Sequence, residues 1–299
     1  MILLEKTKVT GWEECIRGMR NPKNSWALSD TIYLRREHCD NPGEIALADM
    51  CGGIAPIIGP KDLSLMLNLV KAGTDHRKFL RYIKVSVDIT APLYWWKEFD
   101  TYKVGTTSNS CSTMHKIAEK EFTIDDFSHD RLISELTGEP EDAFMEFEST
   151  GTKLYAQNLL ELTVNVLNHY RKLYLATNDK KYWHQLIQLL PSSYNQKRTI
   201  ELNYEVLANM FKKTSRRFHK LPEWNVNFYG SLCHWITELP YSDLITYTAP
   251  TVSETLDELL GEISDKLVFL SNDGSGKYLV NADELRDTIQ ALKKSIGGN

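Results

Sequence analysis

The chain has 299 residues, 42% of them hydrophobic and 25% charged, with a formal net charge of −5 and a pI near 5.9. That balance excludes a disordered, collagenous or fibrous chain, and the acidic pI argues against a nucleic-acid polymer as partner. No apolar run approaches the ~18 residues of a membrane-spanning helix, so no membrane partner is expected.

The opening Met1-Ile2-Leu3-Leu4-Glu5-Lys6 lacks the longer apolar stretch of a signal peptide, which points to the cytoplasm. The cysteines Cys15, Cys39, Cys51, Cys111 and Cys233 are odd in number and form no C-x-x-C pair. Neither a disulfide framework nor a zinc knuckle is expected, and no metal site. Charge is segregated: residues 121–150 hold 10 acids and 1 base, while 1–120 and 151–250 each carry a basic excess. Basic positions flanking an acidic insert suit small anionic ligands; a plain solvated charged face is the blander alternative.

In chain order, the first expected helix covers 60–73, opened by Pro60, with Leu63, Met66, Leu67 and Val70 at helical spacing and Gly73 closing it. From Tyr82 to Thr90, Ile83, Val85, Val87 and Ile89 alternate with polar residues, the pattern of a half-buried strand. Ala91-Pro92 breaks it and opens a short aromatic helix through Tyr94, Trp95, Trp96 and Phe99, whose rings read as core or as stacking walls. The small polar run 104–113 reads as a loop, and the acidic stretch 121–150 as an exposed insert. A long amphipathic helix follows through Leu154, Leu159, Leu162 and Val166, and a second from about Lys180 to Leu190 before Pro191. A third is expected from Thr199 to Arg217, with Ile200, Tyr204, Leu207 and Phe211 on one stripe, and a fourth after Pro222. Two apolar runs around Asn272-Asp273-Gly274-Ser275-Gly276 suggest a hairpin, followed by a helix from Asn281 to Gly297. The expected organisation is a main domain over 1–250 and an accessory extension over 251–299.

Standard fingerprints fail. Gly274-Ser275-Gly276-Lys277 lacks the earlier glycine and the Ser or Thr of a phosphate loop. No G-x-S-x-G and no G-x-G-x-x-G after a strand occurs.

What remains is the block from Ala91 to His115 in which strand, Pro-led aromatic helix and hydroxyl-rich segment follow one another. It resembles the flavin-dependent thymidylate synthases, whose pattern runs R-H-R, then N-E, then S-x-R-Y, preceded by a proline and a glutamine-aromatic pair. Pro92 takes the proline, Glu98-Phe99 the glutamine-aromatic pair, Thr101-Tyr102-Lys103 the triplet, Asn109-Ser110 the N-E, Ser112 the serine and Met114-His115 the R-Y. A second stretch keeps the family's spacing: Leu190-Pro191, Asn203 twelve positions on, Asn209 six later, and Arg217 seven before Trp224. Three extra residues separate Asn209 from Arg217, and His76 sits where the family has a Gly-His pair. The resemblance covers roughly 60–117 and 180–240.

It implies an α/β (α+β) fold like that of the thymidylate synthase-complementing proteins, a central sheet flanked by long helices. It implies reductive methylation of dUMP to dTMP with FAD, and NADPH and methylenetetrahydrofolate as cosubstrates, in a homotetramer holding flavin between subunits. The protein's part in such chemistry is binding, orientation and local charge. By the same resemblance, Ser112 and Arg217 are the catalytic residues, and His76, Tyr102, Lys103, Asn203 and Asn209 hold the cofactor. Glu98, Asn109, Ser110, Ser112, His115 and Arg217 hold the substrate. Read alone, Arg217 is equally a cation at a helix C-terminus, the asparagines exposed helical polar residues, Ser112 a turn hydroxyl and Lys103 plain surface.

Thr101, Tyr102, Met114 and Ile187 stand where the family has an arginine, a histidine and two further arginines. A charge-assisted hydrogen bond from such a group is worth about 1.5–3 kcal/mol. Arg81, Lys97, His115 and Arg216 are the candidate replacements. Two other readings stay open: a non-catalytic homologue that binds nucleotide or serves as a structural subunit, and an unrelated helical interaction protein using the acidic insert.

Overall fold

The computed structural model describes residues 1–135, 143–147, 152–212 and 214–247. In chain order they form β1 (Leu3–Thr10), α1 (Trp12–Arg20), β2 (Ile32–Arg35), α2 (Pro42–Met50), β3 (Ile54–Ile57), α3 (Pro60–Lys71), β4 (Lys84–Pro92), α4 (Leu93–Phe99) and β5 (Thr107–Ser110). There follow α5 (Thr113–Lys116), β6 (Met145–Phe147), β7 (Thr152–Leu154), α6 (Ala156–Thr177), α7 (Lys180–Leu189), β8 (Asn195–Asn203), α8 (Tyr204–Met210), α9 (Leu232–Thr237) and α10 (Asp243–Thr246). The fold is mixed α/β, a central antiparallel sheet with helices around it. The sheet has the order β1-β4-β8-β5; β2–β3 and β6–β7 are separate two-stranded ribbons.

The alternation read from 82–90 is the alternation of β4. Val85, Val87, Ile89 and Ala91 are buried, and Val87 lies opposite Ile200 and Val85 opposite Leu202 of β8. In-register partners share a face, so the other side of the sheet carries Glu5, Asp88 and Thr199 in one row. It is polar and tied together: the Thr199 hydroxyl donates to Asp88 at 2.7 Å, and Lys197 reaches Glu5 at 2.9 Å and Asp88 at 3.5 Å. On the apolar side, α4 begins directly after β4 and drives Trp95, Trp96 and Phe99 into the core. Trp95 stacks on Trp224 with ring centroids 4.7 Å apart, so the aromatic run is core rather than a stacking wall.

A second core lies under α6 and α7, built from Phe122, Phe127, Leu160, Val164, Leu167 and Leu186. It corrects the reading of 121–150 as an exposed insert. Phe122 and Phe127 are buried, and the Asn168 side chain bonds both the N–H and the C=O of Phe122, at 2.8 Å each. Acidic residues placed between apolar anchors make a stretch look exposed when only its charges are.

Three more expectations change. Residues 104–113 are not all loop: β5 pairs antiparallel with β8 at the sheet edge, where a short polar strand blunts further pairing. The helix expected over Thr199–Arg217 is a strand followed by the short α8. Ile200 and Leu202 alternate inward as strand residues, and the coincident 3.6-residue stripe misled because Asn203 caps only the segment after it. The helix after Pro222 begins only at Leu232, where buried Ser231 caps α9 by accepting from the His234 N–H at 3.0 Å. The C-terminal hairpin and helix lie outside the described residues.

No element is read from the sequence before Pro60, yet β1 and α1 are there, fastened by a buried ion pair. Arg20 Nε donates to Asp62 Oδ1 at 2.7 Å, and Asp62 Oδ2 accepts from the Ser29 hydroxyl at 2.6 Å and the Thr31 hydroxyl at 2.7 Å. Burial alone would raise the Asp62 carboxyl, but those hydrogen bonds and the Arg20 charge outweigh it and hold the group below its ordinary value. Its stabilising contribution is complete above the ordinary carboxylate range and is lost as the pH falls through the depressed value. Removing one partner of a buried pair costs about 3–5 kcal/mol. Arg20→Met is therefore expected to lower the unfolding free energy read from urea titration by about 3–5 kcal/mol at neutral pH, with a correspondingly lower midpoint. The gap to wild type should shrink as acid protonates Asp62; an unchanged midpoint would show the pair to be dispensable.

Candidate functional site

The candidate residues of the two family-like segments gather at the two ends of β8. At one end β8 runs out at Asn203, whose Oδ1 accepts from the Val206 N–H at 3.1 Å and caps α8. Gly105 packs against this cap with φ +77, and a Cβ there would stand 3.0 Å from Asn203 Nδ2, so glycine is required by both backbone and space. Asn209, near the end of α8, accepts at Oδ1 from Arg77 at 3.1 Å, and Arg77 forms a buried ion pair with Glu205 at 3.0 Å. His76, immediately before Arg77, is exposed.

Nearby, Glu98 and Tyr102 converge on Arg216. Its Nη2 lies 2.6 Å from Glu98, its Nε donates to the Tyr102 hydroxyl at 3.2 Å, and its guanidinium stacks 5.0 Å from the Trp224 ring. The Tyr102 hydroxyl also bonds Ser215 at 2.7 Å. His219 is held below its ordinary pKa by burial and by the neighbouring Arg216 charge, and its Nδ1 accepts from the Leu221 N–H at 3.1 Å.

Arg217 is different. Its guanidinium sits 5.0 Å from the rings of both Phe211 and Phe218, and Nε is buried without an acceptor. It forms no ion pair among the described residues. An unsatisfied buried donor costs about 1–3 kcal/mol, more when charged. Arg217 lies in a turn rather than at a helix C-terminus, so no helix dipole accounts for it.

At the other end, Ser110 of β5 pairs with Arg198, and Cys111 donates its N–H to the Lys197 carbonyl at 3.0 Å. Ser112 follows, its Oγ accepting from the His115 N–H at 3.2 Å to open α5. The hydroxyl thus serves its own turn while its proton stays free to donate. Beside it is a cleft of ≈ 370 Å³, walled by Ser112, Lys116, Lys120, Tyr194, Asn195 and Lys197. Asn109, Ser110 and His115 are exposed near it, as is Met114. Lys103 is exposed at the far end.

Lys197 and Asn203 stand six residues apart on one strand, so about 20 Å separates the Ser112 end from the Asn203 end. Asn203, Asn209, Tyr102 and Glu98 share one end with the segment that bears Arg217; Asn109, Ser110, Ser112 and His115 share the other. Sequence reasoning missed Arg77 and Glu205, which are joined only by the fold, and the cleft lysines. The spacing of Lys116 and Lys120 after Ser112 was the available signal for the latter.

At the Asn203 end the side-chain acceptors are already engaged: Asn203 by its helix, Asn209 by Arg77, and Tyr102 and Glu98 by Arg216. The Nδ2 groups of Asn203 and Asn209, the Arg217 guanidinium and Lys103 are left. This set of donors fits a ligand made of acceptors.

No protein-family model and no curated protein matches the chain. Among solved structures, the chain is similar to a flavin-dependent thymidylate synthase of Helicobacter pylori complexed with FAD and dUMP. The two share 16% identity over 82% of this chain and 97% of that one, with a TM-score of 0.49. A UMP/dUMP methylase of Streptomyces cacaoi bound with 5-Br dUMP shares 11% identity over 71% of this chain and 76% of that one, with a TM-score of 0.39.

The cap and the free amide of Asn203 can be separated by substitution. Asn203→Ala should lower stability by about 1 kcal/mol through loss of the cap. Asn203→Asp keeps the acceptor and should melt within about 0.5 kcal/mol of wild type, since Asp caps as well as Asn. Equal destabilisation by both would show that the cap is not what holds this residue.

Proposed function

We propose that this chain is a pyrimidine-nucleotide enzyme of the flavin-dependent thymidylate synthase type, converting dUMP to dTMP with FAD, NADPH and methylenetetrahydrofolate. The observation that carries the reading is Arg217. A guanidinium 5.0 Å from the rings of both Phe211 and Phe218, its Nε buried with no acceptor, offers a donor to a planar acceptor edge such as a uracil carbonyl. Its place in the sequence, spaced from Asn203, Asn209 and Trp224, agrees.

Bound flavin would supply the electron transfer, and the chain's residues bind and orient. Asn203, Asn209 and Lys103 offer donors to the cofactor, with His76 and Tyr102 at the same edge. Ser112 offers its proton to the substrate, with Asn109, Ser110 and His115 around it. Because the Ser112 and Asn203 ends lie about 20 Å apart along β8, the proposal includes a homo-oligomer, a tetramer by resemblance, in which one copy's Ser112 end faces another copy's Arg217 end.

Purified protein supplied with FAD should show bound-flavin absorbance and, with NADPH and methylenetetrahydrofolate added, convert dUMP to dTMP. Arg217→Lys keeps the charge but loses the planar fork, and should weaken dUMP binding about tenfold or more. Ser112→Ala and Arg217→Ala should each be inactive, yet regain part of the activity when mixed and reassembled. A protein that takes up no flavin and transfers no methyl group would refute the reading.

Thr101, Met114 and Ile187 favour a second reading, a homologue that binds nucleotide without turning it over. Met114 is exposed and Ile187 packs on the second core, so neither position offers a charge. Methyl transfer to dUMP would eliminate it.

A further inference from the structure

We infer that the outer edge of β2 pairs antiparallel with β2 of a second copy of this chain, joining two β2–β3 ribbons into one four-stranded sheet. The ribbon lies outside the stretches 60–117 and 180–240 that carry the resemblance, and the inference does not rest on the nucleotide reading.

The register of the ribbon decides which backbone groups are free. The Arg36 N–H donates to the Gly53 carbonyl at 3.0 Å, which makes 36–53, 34–55 and 32–57 the hydrogen-bonded pairs. Tyr33 and Arg35 alternate with them, so their N–H and C=O groups point away from β3. The two outer edges differ. On β3, Tyr241 closes the edge: its hydroxyl accepts from the Ile58 N–H at 3.0 Å and donates to the Pro56 carbonyl at 2.7 Å. On β2, only the start is closed, where Asp62 accepts from the Thr31 N–H at 3.1 Å. Beyond it, the Tyr33 N–H and C=O and the Arg35 N–H have no partner among the described residues. The Arg35 carbonyl takes only the weak Cys39 thiol at 3.4 Å.

The central sheet avoids such an edge: β1 shifts register between Glu5 and Lys8, and β5 is polar throughout. β2 instead carries Ile32 and Tyr33, 54% and 40% exposed, with Ile54 opposite Arg35 at 48%. Unpaired strand groups flanked by exposed apolar side chains are a template for another strand.

The edge is complementary to itself. With Leu34 on a two-fold axis, Tyr33 of each copy stands opposite Arg35 of the other, and the two pairs exchange four hydrogen bonds. Placing Arg35 on Arg35 would oppose like charges, and placing Tyr33 on Tyr33 calls on the Thr31 N–H that Asp62 already holds. Charge favours the same register. Partial burial, and next the Glu13 carboxylate with Glu14 further off, raise the Tyr33 hydroxyl to about 12. Neither glutamate forms an ion pair among the described residues. Arg35 has only Glu37 at 3.9 Å, an exposed pair worth little. Each guanidinium thus moves from a loose pair to the Tyr33 ring of the second copy and the two carboxylates beside it.

Light scattering of the full chain and of Arg35→Pro tests this. Arg35 has φ −68 and an outward N–H, so proline fits the backbone and spares every β2–β3 hydrogen bond while removing two across the interface. Arg35→Pro is expected to have half the wild-type mass, with circular dichroism and melting temperature unchanged. Leu34→Cys gives a second measurement independent of the proline. Two facing Leu34 positions in a non-hydrogen-bonded pair stand about 4.5 Å apart at Cα, within disulfide reach. Mild oxidation should yield a covalent dimer on a non-reducing gel. Wild type, with its five cysteines, and Ile32→Cys, about 13 Å from its own counterpart, should not. Equal masses for wild type and a folded Arg35→Pro would overturn the inference, as would a Leu34→Cys that cross-links no faster than Ile32→Cys. A monomeric wild type, its edge left to a strand of another protein, would overturn it equally.

Discussion

The pairing of β4 with β8 is the constraint on which the rest of the molecule depends. Nine residue pairs run in unbroken register from Lys84 opposite Asn203 to Pro92 opposite Asn195. Because the register is pinned by Val85, Val87, Ile89, Ile200 and Leu202 on a dry face, a slip of one residue would turn the whole apolar set to solvent. Everything with chemistry hangs from the ends of this pair. Where β8 ends, Asn203 caps α8; where it begins, Tyr194 and Asn195 line the cleft, and the chain leaving β4 turns at Pro92 into the aromatic helix. A strand of fixed length thus sets the distance between the two groups of candidate residues.

That distance gives the family-like segments their meaning. Residues that sequence order places in one motif, Tyr102 and Ser112, are carried to opposite ends by β5 running antiparallel along β8. Residues far apart in sequence, Glu98 and Arg216 or Arg77 and Asn209, come into contact. Glu98 and Tyr102, read from resemblance as ligand contacts, grip Arg216 and so hold the turn that presents Arg217. Arg216 is thus fixed by two side chains, while the Nε of Arg217 beside it is buried and unpaired.

The strongly periodic parts were legible: β4, the helix after Pro60, the two helices before Pro191 and the aromatic core of α4 all follow from spacing and breakers. Three kinds of signal were not. Ile200, Tyr204, Leu207 and Phe211 satisfy a helical period by coincidence, and only the backbone pairing of Ile200 and Leu202 decides for a strand. Phe122 and Phe127 are isolated anchors in an acidic run, too sparse for any period, and their burial depends on α6. The N-terminal Arg20 and Asp62 are remote in sequence and surrounded by short irregular segments, so nothing local announces the pair. The candidate site shows the same division. Ser112 as a turn residue is local and was readable, whereas Asn203, read as an exposed position inside a helix, is a buried cap, and the partners of Arg77 and the convergence of the lysines are long-range.

The cleft also depends on how the two cores are joined. Its floor is sheet, Thr90 and Gln196, while Ile117 and Tyr194 belong to the packing of the second core. The Gln196 side chain bonds the Cys111 carbonyl at 3.1 Å, and Arg171 of α6 holds the carbonyls of Ala118 and Glu119 at 2.9 and 3.0 Å. Lys116 and Lys120 are thereby carried on a segment anchored from both sides, by the sheet at Cys111 and by α6 at Ala118.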